Sequence, residues 1–132
     1  MGEACGRRNM VKQGDIIWIN FNPQAGHEQS GRRPALVISN SSFTQITQKA
    51  AMVCPITKTD KSLPFHINLD DRTQTTGVVL CDQAKIIDIQ ARNFEFIEKA
   101  PEEIVLEAID IINGFIEKED NMRETKVNEK TS

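Results

Sequence analysis

Hydrophobic and polar residues alternate along several short stretches, a pattern typical of half-buried β-strands. The clearest is GDIIWINF at 14–21, where Ile17, Ile19 and Phe21 share one face before an Asn-Pro turn signal. The other strand-like stretches are PALVIS at 34–39, AAMVCPI at 50–56, FHINL at 65–69, GVVLC at 77–81, KIIDI at 85–89 and NFEFIE at 93–98. Seven short strands predict a mainly β fold, a sheet curled into a small barrel or sandwich.

Two segments carry helix signals instead. NSSFTQIT at 40–47 opens with capping residues and predicts a brief helical turn. Pro101 and the two glutamates after it suit the start of a helix, and apolar residues then recur at helical spacing as far as Phe115. The apolar face of this C-terminal helix is wider than one small sheet needs, so we expect part of it to pack against a second subunit.

Length and hydropathy limit how many domains and membrane spans the chain can contain. The 132 residues suffice for one domain, and no apolar run approaches the roughly 18 residues of a membrane helix. Residues 1–10 contain no secretory apolar region, and Met10 is a candidate natural start. We expect a disordered leader at 1–10, one domain at 11–117, a charged mobile tail at 118–132, and a cytoplasmic location.

Cysteines and charges narrow the possible chemistry. Cys5, Cys54 and Cys81 are odd in number and lack zinc-like spacing, so we expect reduced cysteines and neither a metal nor a cofactor. The net charge of -3 argues against a nucleic-acid partner at first sight. However, residues 1–60 hold seven Lys/Arg against four Asp/Glu, whereas residues 91–132 hold six against eleven. A local basic site therefore remains possible.

The loop GHEQSGRRP at 26–34 interrupts two apolar strands with an unusual density of polar chemistry. Pro34 restricts the backbone of Arg33 to extended conformations directly before a strand, so we expect this guanidinium to be anchored by the sheet. A guanidinium held in this way suits a phosphate, because its planar fork donates two hydrogen bonds. A solvated pair of arginines is the alternative interpretation.

The stretch GDIIWINFNPQAGHEQSGRRPALVIS at 14–39 resembles the MazF/PemK family of bacterial toxin endoribonucleases. In that family a GD-strand, an Asp-Pro-type turn, G-x-E-Q-x-G and Arg-Pro follow in this order. VCPIT at 53–57, TTGVVLCDQ at 75–83 and IDIQAR at 87–92 continue the match, which covers roughly residues 11–117. The GHEQ and TTGVVLCDQ forms look most like the PemK/Kid and ChpB branch, which suggests a U-A-C core in the recognised RNA.

This resemblance implies a small SH3-like or CcdB-like β-barrel that forms a homodimer. It also implies a toxin of a type II toxin-antitoxin system that causes growth arrest by sequence-specific cleavage of single-stranded mRNA without a metal. The implied protein partner is a cognate antitoxin, whose acidic, initially disordered segment covers the RNA groove.

Metal-free cleavage uses the neighbouring 2'-hydroxyl of the RNA as nucleophile and leaves a 2',3'-cyclic phosphate and a 5'-hydroxyl. The enzyme must move two protons and stabilise charge on the phosphate oxygens. By the resemblance, Arg33 and Thr57 are catalytic. Arginine is a poor proton donor near neutral pH, so Arg33 should stabilise charge while Thr57 hydrogen-bonds the scissile phosphate. Glu28 and His27 are candidates for proton transfer, or else an ion-paired carboxylate and a solvated histidine.

Other residues are candidate RNA contacts. We expect Gln29 to shape the loop or contact a base, and Trp18 either to stack on a base or to belong to the core. Asp82 is either a base or a structural acceptor. The last two candidates are Arg32 and Lys58.

Two further positions of the sequence bear on the mechanism. The PemK/Kid pattern has an arginine where this chain has Leu80, so an acid role for that arginine cannot be transferred. His66 has no partner at ligand spacing and is expected at the surface.

Two other functions are compatible with this fold. One is a toxin that acts on a protein target, as the gyrase toxin CcdB does, and the other is a non-catalytic module that binds RNA or an antitoxin. The CcdB-like class would not need the pairing of Arg33 with Thr57.

Overall fold

The computed structural model describes residues 10–22, 31–59 and 63–120. All seven predicted strands and both predicted helices are present. In chain order the elements are β1 (Asp15–Asn20), β2 (Arg32–Val37), α1 (Ser41–Thr47), β3 (Ala50–Thr57), β4 (His66–Asn68), β5 (Val78–Leu80), β6 (Lys85–Asp88), β7 (Glu95–Lys99) and α2 (Glu102–Phe115). Within the described ranges, neither helix is long and apolar enough to cross a bilayer.

The strands form one antiparallel sheet in the order β4-β5-β3-β2-β1-β7, with β6 also paired to β3. This confirms the prediction of a mainly β fold with a C-terminal helix, with one correction. Among the described residues no ladder joins β4 to β7, so the sheet is not closed into a barrel. Instead, β3 pairs with β2 along one edge and with β6 and then β5 along the other.

Pro55 marks the point where β3 changes partners. Residues 50–53 pair with β6, whereas Ile56 and Thr57 pair with β5. Pro55 has no N–H to donate and lies between these two ladders, opposite Ala35 of β2. A proline in a strand usually indicates an edge. Here it is tolerated inside the central strand because it occupies this gap.

Apolar residues fill two core clusters on the two faces of the sheet. Alternation along β1 sends Ile16 to one cluster, whereas Ile17, Ile19 and Phe21 belong to the other. The cluster around Ile16 also contains Ile104, Val105 and Ala108 of α2. The C-terminal helix therefore covers one face of the sheet.

Two of the three cysteines lie in the described part of the chain. Cys54 and Cys81 are buried free thiols, as expected. Hydrogen bonding between the two thiols, followed by burial, raises the pKa of Cys54 well above its ordinary value. The neutral thiol is therefore favoured, and Cys54 behaves as a core residue. Cys5 falls outside the described residues.

Replacing Ile17 with Ala should lower the free energy of unfolding by about 2–5 kcal/mol, because the fully buried side chain would leave a cavity beneath β1. Urea denaturation followed by circular dichroism measures this change. Ile46→Ala is the matched control, since that isoleucine is 82% exposed and its removal should change stability by less than about 0.5 kcal/mol. Equal effects of the two substitutions would contradict the assigned core.

Candidate functional site

A groove of about 590 Å³ crosses the sheet where β2 begins and β3 ends. Its lining is Trp18 of β1, residues 32–34 of β2, residues 56–59 at the end of β3, residues 74–76 between β4 and β5, and Ile97 of β7. Five of the nine predicted site residues are among them: Trp18, Arg32, Arg33, Thr57 and Lys58.

The registers of two neighbouring ladders explain why Arg33 and Thr57 meet at this groove. Arg33 lies opposite Ile19 in the β1–β2 ladder, so it belongs to β2 itself rather than to the loop before it. In the β2–β3 ladder Ala35 lies opposite Pro55. Continuing that antiparallel register by two residues places Arg33 opposite Thr57. The two residues are far apart in sequence and adjacent across the sheet.

Thr57 ends β3 and is 8% exposed. Its hydroxyl oxygen accepts a hydrogen bond from the backbone N–H of Thr59 at 3.3 Å. A hydroxyl carries one proton and can accept as well as donate, so this bond leaves the hydroxyl proton for a ligand oxygen. The arrangement suits a donor to an anionic group in the groove.

The two aromatic residues near β1 have different environments. Phe21 is buried in the core, whereas Trp18 is 39% exposed and lies opposite Pro34 at the groove. A large exposed aromatic ring beside cations can receive a flat, apolar group such as a nucleobase. Of the two alternatives for Trp18, membership of the core is therefore excluded, and its assignment as an RNA contact stays a prediction.

Positive side chains at the groove differ in their surroundings. Lys58 is exposed. Arg32 donates to Glu95 of β7 at 2.6 Å and to the backbone carbonyl of Asn93 at 3.2 Å. Such an exposed ion pair contributes less than about 1 kcal/mol, so a phosphate can compete with the Glu95 carboxylate for this guanidinium.

One wall of the groove was not predicted from the sequence. It consists of Gln74, Thr75 and Thr76, which precede β5. The segment TQTTG entered the sequence analysis only through the TTGVVLCDQ motif, and none of its residues was assigned to the site. Its density of hydroxyl and amide groups directly before a strand was the signal that could have identified it.

Gly77 holds this wall against β3. Its backbone has φ of +128°, and a Cβ built there would lie 2.3 Å from the carbonyl oxygen of Thr57. Only glycine combines this conformation with so close an approach. The position of Thr57 and that of the wall are therefore linked.

Asp82 lies outside the lining of the groove. Its carboxylate is 3.0 Å from Nε2 of His66 and partly exposed, whereas the His66 side chain is only 4% exposed. The expectation that His66 is a surface residue is wrong, because alternation along a three-residue strand cannot anticipate cover from the 3-10 turn Cys81–Gln83. Leu80, which occupies the position of the PemK/Kid arginine, is buried.

The remaining predicted site residues, His27, Glu28 and Gln29, lie outside the described residues. Within the described ranges, no three His, Cys, Asp or Glu side chains are grouped as a metal ion would require.

Residues 12–115 match the family described as "PemK-like, MazF-like toxin of type II toxin-antitoxin system". The chain belongs to this family. The match spans nearly the whole described fold, including every strand and helix. The resemblance inferred from the motifs is confirmed.

Individual relatives of this PemK/MazF-family chain agree. It is 36% identical over 107 residues to the endoribonuclease PemK of Escherichia coli, which covers 78% of this chain and 80% of the relative. It is 34% identical over 119 residues to the endoribonuclease toxin ChpB of Escherichia coli K12, covering 84% and 98%. Both relatives are named as endoribonucleases, which favours RNA cleavage over a gyrase toxin or a non-catalytic module.

A solved structure gives the same fold. The crystal structure of a MazE-MazF complex from Deinococcus radiodurans matches with a TM-score of 0.72 and 35% identity, covering 83% of this chain and 97% of that one. Because type II toxins are defined with an antitoxin, an antitoxin partner follows from the family.

Replacing Gly77 with Ala should lower the free energy of unfolding by about 1–3 kcal/mol, because the new methyl group would meet the Thr57 carbonyl and strain the backbone. Gly114→Ala is the control: nothing lies within 4 Å of that added carbon inside α2, so stability should rise by about 0.5–1 kcal/mol. Thermal and urea denaturation measure both changes. A neutral Gly77→Ala variant would contradict the close approach of the wall to β3.

Proposed function

We propose that this toxin cleaves single-stranded mRNA in the groove, sequence-specifically and without a metal ion, in the cytoplasm. The observation that carries the proposal is the convergence of Arg33 and Thr57 at one groove that also exposes Trp18. A cation attracts the charge of a phosphate, and a hydroxyl donates a hydrogen bond to a phosphate oxygen. An aromatic ring stacks on an unpaired base.

The proposed reaction begins with attack of the ribose 2'-hydroxyl on the adjacent phosphorus. A bond forms between that oxygen and phosphorus while the bond to the 5'-oxygen of the next nucleotide breaks. Negative charge grows on the non-bridging oxygens, where the Arg33 guanidinium stabilises it and Thr57 donates a hydrogen bond. The products are a 2',3'-cyclic phosphate and a 5'-hydroxyl.

Two proton transfers complete this reaction: one from the 2'-hydroxyl and one to the departing 5'-oxygen. We assign them to His27 and Glu28, which precede β2 in the sequence. Leu80 cannot perform the acid role that an arginine has in the PemK/Kid pattern.

The groove also favours single strands. Trp18 offers a ring on which an unpaired base can stack, and such stacking is worth about 1–3 kcal/mol per base. Arg32 and Lys58 supply charge for neighbouring phosphates. Gln29 is proposed to contact a base.

The same positive charge suits the proposed segment of the antitoxin. An acidic, initially disordered segment would place carboxylates where the RNA phosphates bind, beside Arg32, Arg33 and Lys58. Antitoxin and RNA would then exclude each other by competing for one site.

We further propose a homodimer formed through an apolar cleft on the side of α2. The cleft has a volume of about 340 Å³, and its apolar lining residues are Ile38, Phe43, Met52, Ile86, Ile109, Ile112 and Ile116. Ile86 and Ile116 are 55% and 77% exposed. Contiguous exposed apolar surface of this kind marks an interaction site, and the broad apolar face of α2 continues into it.

Arg33→Ala should reduce the rate of RNA cleavage about 10²- to 10³-fold, because the charge on the phosphate oxygens loses its main stabilising group. Thr57→Val should reduce it about tenfold or more, and Thr57→Ser should restore most of the activity. The assay uses a single-stranded RNA that contains one U-A-C sequence, in EDTA.

Lys118→Ala is the matched control, since it removes one exposed positive charge outside the groove and should leave the rate unchanged. Full activity of Arg33→Ala would contradict the proposed mechanism. Cellular toxicity retained without RNA cleavage would indicate a different target.

Ile116→Asp should convert a dimer into a monomer at micromolar concentration, because it places a charge in the proposed apolar interface. Sedimentation velocity measures the change. Ile46→Asp, at an exposed isoleucine that does not line the cleft, should remain dimeric. A monomeric parent protein, or a dimeric Ile116→Asp variant, would contradict this interface.

A further inference from the structure

The open sheet leaves its two edges to be joined by side chains. β7 lies at one end of the strand order, and β4 and β5 lie at the other. The groove wall of residues 74–76 belongs to the connection between β4 and β5, yet Ile97 of β7 lines the same groove. Among the described residues no ladder joins the wall to β7, so side-chain contacts must hold it there.

Glu98 of β7 makes this connection. Its Oε1 accepts from the backbone N–H of Gln74 at 3.0 Å. Its Oε2 accepts from the backbone N–H and from the hydroxyl of Thr75, both at 2.7 Å. Three hydrogen bonds from two consecutive residues thus converge on one carboxylate, which replaces the strand pairing that a closed barrel would have.

The wall is also attached at its other end. The Gly77 backbone lies against the Thr57 carbonyl, and its own carbonyl accepts from the N–H of Leu69. The groove wall and the adjoining Gly77 are therefore fixed at both ends, on β7 by Glu98 and on β3 at Thr57. A shift at Glu98 would move groups that line the groove directly.

We propose that Glu98 is a positioning residue, which fixes Gln74 and Thr75 in the groove wall and thereby determines which RNA bases fit against Trp18 and Arg33. This inference rests on the proposed function of the groove and concerns substrate selection there. Glu98 acts through the wall and touches neither the scissile phosphate nor the reacting atoms.

The charge state of Glu98 fits this role. Partial burial alone would raise the pKa of Glu98, but the hydrogen bonds from the Thr75 hydroxyl and the two backbone N–H groups outweigh it, so the pKa is lowered. A lowered pKa means that the ionised form is stabilised by folding. The contribution is present above the unfolded value of about 4.3 and is lost as the pH falls through the folded pKa.

Glu98→Gln tests the proposal, because an amide has one accepting oxygen and presents an NH₂ group to the remaining donors. We expect amide hydrogen exchange at Gln74 and Thr75 to become about tenfold faster. We expect KM for single-stranded RNA to rise about tenfold with a much smaller change in kcat, and cleavage to spread to additional sequences. Glu107→Gln removes the same charge from an exposed position on α2 and should change none of these values.

The outcomes separate the role of Glu98 from the function of the groove. Unchanged exchange at Gln74 and Thr75 in Glu98→Gln would overturn the proposal, and so would faster exchange with parental KM and cleavage sites. If the parent does not cleave RNA, the proposed function fails, while the exchange measurement still decides whether Glu98 holds the wall.

A second variant covers the case in which Glu98→Gln does not fold. Thr75→Val removes one of the three hydrogen bonds from the opposite partner and leaves the carboxylate in place. Amide hydrogen exchange at Gln74, whose own side chain is unchanged, should become faster, and KM should rise about threefold. Parental exchange at Gln74 in Thr75→Val would overturn the proposal.

Discussion

The double pairing of β3 is the constraint from which the site follows. This strand pairs with β2 along one edge and with β6 and β5 along the other, and Pro55 occupies the gap between the two ladders. Because a slip of one residue would turn each side chain to the opposite face, the buried faces of β2 and β3 fix their register. That register sets Arg33 across from Thr57, so a core-packing requirement positions two groups that contribute little to the core.

Side-chain hydrogen bonds and ion pairs also connect elements that strand pairing does not join. Arg72 donates to Asp70 and to Glu103, joining the β4–β5 connection to α2. Arg32 and Glu95 join β2 to β7, and Glu98 holds the groove wall. Bonds of this kind can be adjusted without rebuilding the sheet.

Local pattern predicted much of the fold. Period-two alternation identified β1 and β4, short apolar runs identified the other strands, and the Pro-Glu-Glu start with its helical spacing identified α2. The buried Phe21 followed from the same alternation. The sequence did not predict that the sheet stays open, because closure depends on how strands distant in sequence approach each other.

The functional site was likewise predicted only in part. Ordered motifs identified Arg33 and Thr57, but Arg33 lies within β2 rather than before it. Glu98 was missed because its partners are more than twenty residues away and two of them are backbone N–H groups, which carry no sequence signal. His66 was wrongly expected at the surface because Asp82, the residue that pairs with it, lies sixteen residues further along the chain.

We propose that the chain itself supplies the charge stabilisation for attack by a ribose hydroxyl. The test is to incubate the 132-residue protein with a defined single-stranded RNA in EDTA and to determine the chemistry of both new ends. We expect a 2',3'-cyclic phosphate on one fragment and a 5'-hydroxyl on the other. A 5'-phosphate, or cleavage that appears only after magnesium is added, would contradict it.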